Sequence, residues 1–139
     1  MTINELQDEI IEEFELFDDW LDRYQLLCDY GKELQKHPMP DADKTEQNLI
    51  DGCQSKVWFT CRKDEDGNLY LQGDSDALLV QGIVALLLRV LSGHTPKEII
   101  NAKLYFIERI GLQEHLSPTR SNGIVAMLKQ IRLYALALQ

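Results

Sequence analysis

From Ala77 to Leu91 the chain is apolar on nearly every side of a helix, interrupted only by Gln81 and Arg89. A helix without a polar face has to be enclosed by other elements, so this run predicts a helix through the middle of the core. The two polar interruptions leave it well short of the roughly 20 apolar residues a membrane span needs. No basic segment followed by a short apolar run precedes it, so neither a signal peptide nor a membrane partner is expected. A chain of 139 residues that is 45% hydrophobic can enclose one such helix. A single domain over residues 1–139 is therefore expected.

The rest of the chain supplies the enclosure. Thr2 and Glu5 have the spacing of a capping box, and Ile3, Leu6, Ile10, Phe14 and Phe17 follow at helical period. A second stripe, Trp20, Tyr24, Leu27, Tyr30 and Leu34, continues after Asp18 and Asp19 as either a bend or a new helix, with its aromatics read as a packing face. His37 to Pro40 breaks it, and Asp41 to Gln47 reads as an exposed acidic loop. Val57, Phe59 and Cys61 then alternate with Trp58, Thr60 and Arg62, and Leu69 to Gly73 returns after an Asp64-to-Asn68 turn. This is an antiparallel hairpin, with room for a third strand before Cys53.

Asp74, Ser75 and Asp76 offer side-chain caps for the central helix. Gly93 ends it, and Thr95, Pro96 and Glu98 open another helix that runs to Gly111 with Ile99, Ile100, Phe106, Ile107 and Ile110 buried. Ser117 and Pro118 open a turn carrying Thr119 to Gly123. A closing helix follows, with the stripe Ile124, Met127, Leu128, Ile131, Tyr134 and Leu138. The fold class expected is α+β, a small antiparallel sheet packed against several helices.

The formal charge is −9, with acids crowded into Glu5–Asp22 and Asp41–Asp51, which excludes a phosphate-backbone partner; no nucleic acid is expected. Three cysteines without C-x-x-C spacing argue against a disulfide framework and an ordinary zinc site. Cys28 lies beside the second helical stripe and Cys61 has the parity of the strand's apolar residues, so both read as packing. Cys53 differs: it follows Gly52 and precedes a strand, the setting of a thiol at a loop tip. A nucleophilic thiol works as the thiolate, which cations, backbone N–H groups and helix N-termini favour, and candidates for all three are present. His37, His94 and His115 sit beside helix-end signals and read as capping or surface residues. No base for a cysteine hydrolase is therefore evident, whereas thiol exchange needs only one thiolate and one sulfur.

Four stretches together resemble the SufE family of sulfur-acceptor proteins. These are Trp20, Tyr24, Gly31 and Leu34; Ile50 to Trp58 around Gly52, Cys53, Gln54 and Ser55; Gly73 to Ala77; and Leu116 to Gly123. They occur in the family's order, and Cys-Gln-Ser with Ser-Asp-Ala is closer to SufE itself than to CsdE-type relatives. The resemblance implies that Cys53 takes sulfur from the persulfide of a cysteine desulfurase (SufS-like or CsdA-like) and passes it to an iron-sulfur scaffold complex. It stimulates the desulfurase in doing so. Pyridoxal phosphate belongs to that partner, and this chain is expected to need no cofactor and no metal. Asp76 and Arg120 are the implied supporting residues, with Gly52, Gln54 and Ser55 lining the site. With no signal peptide and no membrane span expected, the setting expected is cytoplasmic, and a homodimer is left open. Two other readings stand beside it: an iron-sulfur scaffold of the IscU type, which has a similar fold, and a desulfurase activator that carries no sulfur.

Overall fold

A computed structural model describes all 139 residues, Met1–Gln139. The central apolar run forms helix α3 (Leu78–Leu91), enclosed by α1 (Ile3–Glu15), α2 (Trp20–Leu34), the hairpin β1 (Val57–Lys63) and β2 (Leu69–Ser75), and α7 (Pro118–Ala137). Three short helices, α4 (Pro96–Asn101), α5 (Phe106–Arg109) and α6 (Leu112–His115), lead from α3 to α7. The class is α+β, as expected. No helix is long and apolar enough to cross a membrane.

Glycines decide how close the layers come. A Cβ on Gly82 of α3 would sit 2.1 Å from the carbonyl oxygen of Leu27, and one on Gly31 of α2 would sit 2.5 Å from that of Leu78. The two helix backbones therefore touch, and no side chain can stand between them. On the other side of α3, a Cβ on Gly73 of β2 would lie 2.8 Å from both Phe59 Cε1 and Val84 Cγ1. Here the strand backbone is pressed onto side chains of α3 and β1 rather than onto a second backbone. Val57, Phe59, Leu69 and Leu71 supply its buried face.

The polar breaks in α3 are both answered. The Arg89 guanidinium meets Glu13 at 2.6 Å and Glu9 at 3.4 Å, and Tyr30 donates its hydroxyl to Glu13. That network ties α1, α2 and α3 together at one place. Arg89 holds the Glu13 carboxyl below its usual range, while burial and the adjoining carboxylate push the Tyr30 phenol up to about 12. Gln81 donates to the Ser75 carbonyl at 2.9 Å and accepts from Gln35 at 2.7 Å.

Several expectations are corrected. The helix read from Thr95 to Gly111 is two helices, broken between Ala102 and Tyr105. The break is held by Gln7, fully buried on α1, whose side chain donates to the Lys103 carbonyl and accepts from the Phe106 N–H. The third strand shrinks to a single bridge between Leu49 and Trp58. The turn read over Thr119 to Gly123 is already helical, because Ser117 caps α7 and Pro118 occupies its first position. Neither Asp74 nor Asp76 caps α3, whose N-cap is Ala77 without a side-chain bond. Of the aromatics read as a packing face, Tyr24 is exposed, whereas Trp20 packs against the core and stacks on the exposed His115 with 4.4 Å between ring centres. His94 is buried, with Nε2 against the Met1 carbonyl at 3.0 Å.

Because the atom facing Gly82 is backbone, a methyl group there can be admitted only by parting α2 from α3. Gly82→Ala is expected to lower the unfolding free energy by about 3 kcal/mol, the upper range of core overpacking. Urea denaturation measures it, and an unchanged midpoint would mean that the two backbones are not in contact.

Candidate functional site

The segment between the second helix and the hairpin ends in a short arc, Asp51 to Ser55, whose two ends are fixed. At its start the Ile50 N–H donates to the Val57 carbonyl at 2.8 Å. At its end Lys56 is held through both backbone groups. Its N–H donates to Asp76 Oδ1 at 3.0 Å, and its carbonyl accepts from Ser75 Oγ at 2.7 Å and from the Asp76 N–H at 3.2 Å. The hairpin's own C-terminal end thus pins the base of the arc. Gly52 turns it with φ +91°, a conformation that side chains resist.

The arc lies against α7. Gly52 stands beside Ala126, and the Cys53 thiol points toward the Gly123 carbonyl, to which it donates at 3.5 Å. Around the sulfur, Val57 of β1, Val80 and Ile83 of α3 and Met127 of α7 form an apolar lining, completed by Gln54, Ser55, Arg120 and Gly123. The free space left there is about 10 Å3, roughly that of one water-sized group. The thiol is turned inward from an exposed loop. Enclosure on apolar walls penalises the anion, so burial pushes the Cys53 thiol up from its ordinary value, and no charged neighbour counters it. The resting form is the neutral thiol.

Cys28 and Cys61 are also pushed up by burial, so acidity does not single out one cysteine. Position does. Cys28 is buried within α2 and Cys61 is half-buried within β1, each held by a regular element, whereas Cys53 is on the arc. All three are free. No three His, Cys, Asp or Glu side chains converge closely enough to hold a metal ion.

The residues expected around Cys53 are placed unevenly. Gln54 and Ser55 flank the thiol and line its pocket, with Gln54 exposed and Ser55 half-buried. Arg120, in the first turn of α7, lines the same pocket with its side chain exposed and without an ion-pair partner. Asp76 neither pairs with Arg120 nor lines the pocket; it acts on the arc through Lys56. Two residues escaped the sequence reading. Ser75 holds Lys56 from the other side, and Asp74, nearly buried, accepts from the Met39 and Ser75 N–H groups and pairs with Lys44 at 3.5 Å. Lys44 in turn lies 5.5 Å over the Trp58 ring, closing the segment that leads to the arc against β1. Only the Asp-Ser-Asp run signals any of this locally, and it looks the same as a set of helix caps.

Comparison with known proteins places the chain in a family. Residues 8–135 match the model of the SufE family, described as an Fe-S metabolism associated domain. An uncharacterised SufE-like protein of Synechocystis sp. is 44% identical over 130 residues, which cover 94% of this chain and 80% of that protein. A hypothetical protein of Thermus thermophilus, solved in solution, shares the fold with a TM-score of 0.75 at 23% identity, over 96% of this chain and 95% of that one. The matched region contains the hairpin, the central helix, the arc bearing Cys53 and nearly all of the helix it rests on; the chain belongs to the SufE family, whose domain is associated with iron-sulfur metabolism.

Proposed function

We propose that the chain is a sulfur carrier for iron-sulfur cluster assembly, accepting a persulfide sulfur from a cysteine desulfurase onto Cys53. The observation that carries the reading is a lone thiol on an exposed arc, fixed at both ends and turned into an apolar pocket at rest. A catalytic cysteine would have a base at hand to deprotonate it, and here the thiol's hydrogen bond goes to a backbone carbonyl; a structural cysteine would stand in a helix or strand, as Cys28 and Cys61 do. A carrier needs the opposite of both, a group that can be presented to a partner and withdrawn.

On docking, Cys53 leaves the Gly123 carbonyl and gives its proton to a base of the partner or to water. The thiolate attacks the outer sulfur of the donor's persulfide. One S–S bond forms as the donor's S–S bond breaks, and the departing electron pair stays on the donor cysteine as its thiolate. Cys53 then carries S–SH, with no net oxidation of the pair of proteins. Delivery repeats the exchange with the acceptor complex as nucleophile, and Cys53 departs as the thiolate. Arg120, unpaired at the pocket rim, is the cation suited to stabilise either anion, and Gly52 is the hinge. The pyridoxal phosphate that generates the donor persulfide resides in the desulfurase, which the carrier stimulates by clearing its sulfur. Three free thiols suit the reducing cytoplasm. An IscU-type scaffold would need converging ligands, which the described side chains do not offer.

Incubation with a SufS-type cysteine desulfurase and cysteine, followed by intact-mass and peptide mapping, is expected to place one extra sulfur on Cys53. Sulfur on Cys28 or Cys61 alone would defeat the assignment. Full stimulation of the desulfurase by Cys53→Ser would instead identify a non-carrying activator.

The raised pKa of the Cys53 thiol has a definite sign. Less thiolate is present at neutral pH than on a free cysteine, so iodoacetamide should label Cys53 slowly there. The pH of half-maximal rate, read on the Cys53 peptide, should lie above the usual value of about 8.5; a lower midpoint would show a thiol activated at rest. Asp76→Ala removes one bond from the base of the arc, worth about 0.5–1 kcal/mol for an exposed pair. Cys53 labelling should accelerate by about threefold, with Cys61 labelling unchanged. Equal Cys53 rates would show that Asp76 does not restrain the loop.

A further inference from the structure

Helix α7 has a second, outward face. Val125, Leu133 and Leu136 are 61%, 47% and 53% exposed, and with Lys129 and Arg132 they recur at the three- and four-residue spacing that makes one stripe. α7 carries three of the chain's 14 cations, Arg120, Lys129 and Arg132, and none of its 23 acids. In a protein of net charge −9 this is an apolar stripe rimmed by cations. The stripe also runs into the site. Leu49, Ile50 and Asp51, at the start of the arc, share a surface hollow with Ala126, Lys129 and Leu133, and Gly52 rests beside Ala126.

We infer that the outward face of α7, centred on Val125, Lys129, Arg132 and Leu133, is the docking surface for the cysteine desulfurase that gives sulfur to Cys53, and that the matching surface of that partner is acidic around an apolar centre. This rests on the sulfur-carrier reading and specifies where and by what chemistry the partner is held. Charge complementarity selects the occupant. An acidic surface is repelled by the crowded acids of α1 and the start of α2 and attracted along α7, which carries no acid, so the encounter favours the orientation with the Cys53 arc facing the partner. The exposed leucines and valine then provide the apolar area that holds the complex once formed. A second copy joined by a two-fold axis through this face would bring Lys129 and Arg132 against their own equivalents, which disfavours that occupant.

The test compares the full-length chain with Lys129→Glu/Arg132→Glu and with Leu133→Ser, using a SufS-type cysteine desulfurase and free cysteine. Sulfur on Cys53 is followed by intact mass as the carrier concentration and the salt are varied. The charge reversal should raise the KM for the carrier by about tenfold and flatten the salt dependence, with the saturating rate within twofold of the original. Leu133→Ser should raise KM without altering the salt dependence. Both variants should still take sulfur from inorganic polysulfide at the original rate, a readout that a disturbed fold would not preserve. Original KM and salt dependence in the charge reversal would overturn the docking face while leaving the carrier role intact. Absence of desulfurase-dependent sulfur on Cys53 of the unaltered chain would overturn the carrier reading and this face with it. An unaltered chain that is dimeric at assay concentration and becomes monomeric on charge reversal would assign the face to a second copy and overturn the proposal.

Discussion

The contact between the backbones of α2 and α3 sets the positions of the other elements. With Gly82 against the Leu27 carbonyl and Gly31 against that of Leu78, the two helices lie closer than any pair of side chains would permit. The apolar run of α3 then has one face covered by backbone, and its remaining faces are free to take the hairpin, α1 and α7. On the hairpin side Gly73 lets the β2 backbone settle onto the Val84 side chain of α3. A chain of this size has few residues with which to surround a wholly apolar helix, and close approach reduces the number it needs. The arrangement also sets the depth of the Cys53 pocket, because Val80 and Ile83 of α3 form its floor.

The adjoining residues Asp74, Ser75 and Asp76, at the end of β2 and just beyond it, have separate tasks. Ser75 and Asp76 grip Lys56 and so fix the end of the Cys53 arc, while Asp74 turns to the opposite side and holds the segment that approaches it, through Met39 and Lys44. Neither group of bonds touches the sulfur. Together they leave Asp51 to Ser55 as the only stretch near the thiol without such backbone anchors, and motion of that stretch is what the proposed carrier requires.

Much of this was legible in the sequence because its cause is local. The capping boxes at Thr2 and Thr95, the turn after Lys63, the buried central helix and the isolated loop thiol all follow from spacing over a few residues. What escaped depends on partners far along the chain. The helix expected from Thr95 to Gly111 has no strong breaker between its ends, and it is interrupted because Gln7, almost a hundred residues earlier, satisfies the freed backbone. Asp76 looked like a cap because caps and loop anchors use the same carboxylate and differ only in which N–H comes near. The polar run Thr119 to Gly123 resembled a turn by composition, yet Ser117 and Pro118 had already started a helix.

The bond from the Cys53 thiol to the Gly123 carbonyl bears on how long the protein lasts between encounters. Exposed thiolates attack peroxides and disulfides, and a neutral thiol facing a helix carbonyl from inside an apolar pocket is a poor nucleophile toward either. A more acidic cysteine at the same loop tip would react sooner with sulfur and also with every stray oxidant. In the proposed carrier, leaving deprotonation to the moment of contact makes chemical selectivity a property of the encounter and keeps the idle thiol reduced.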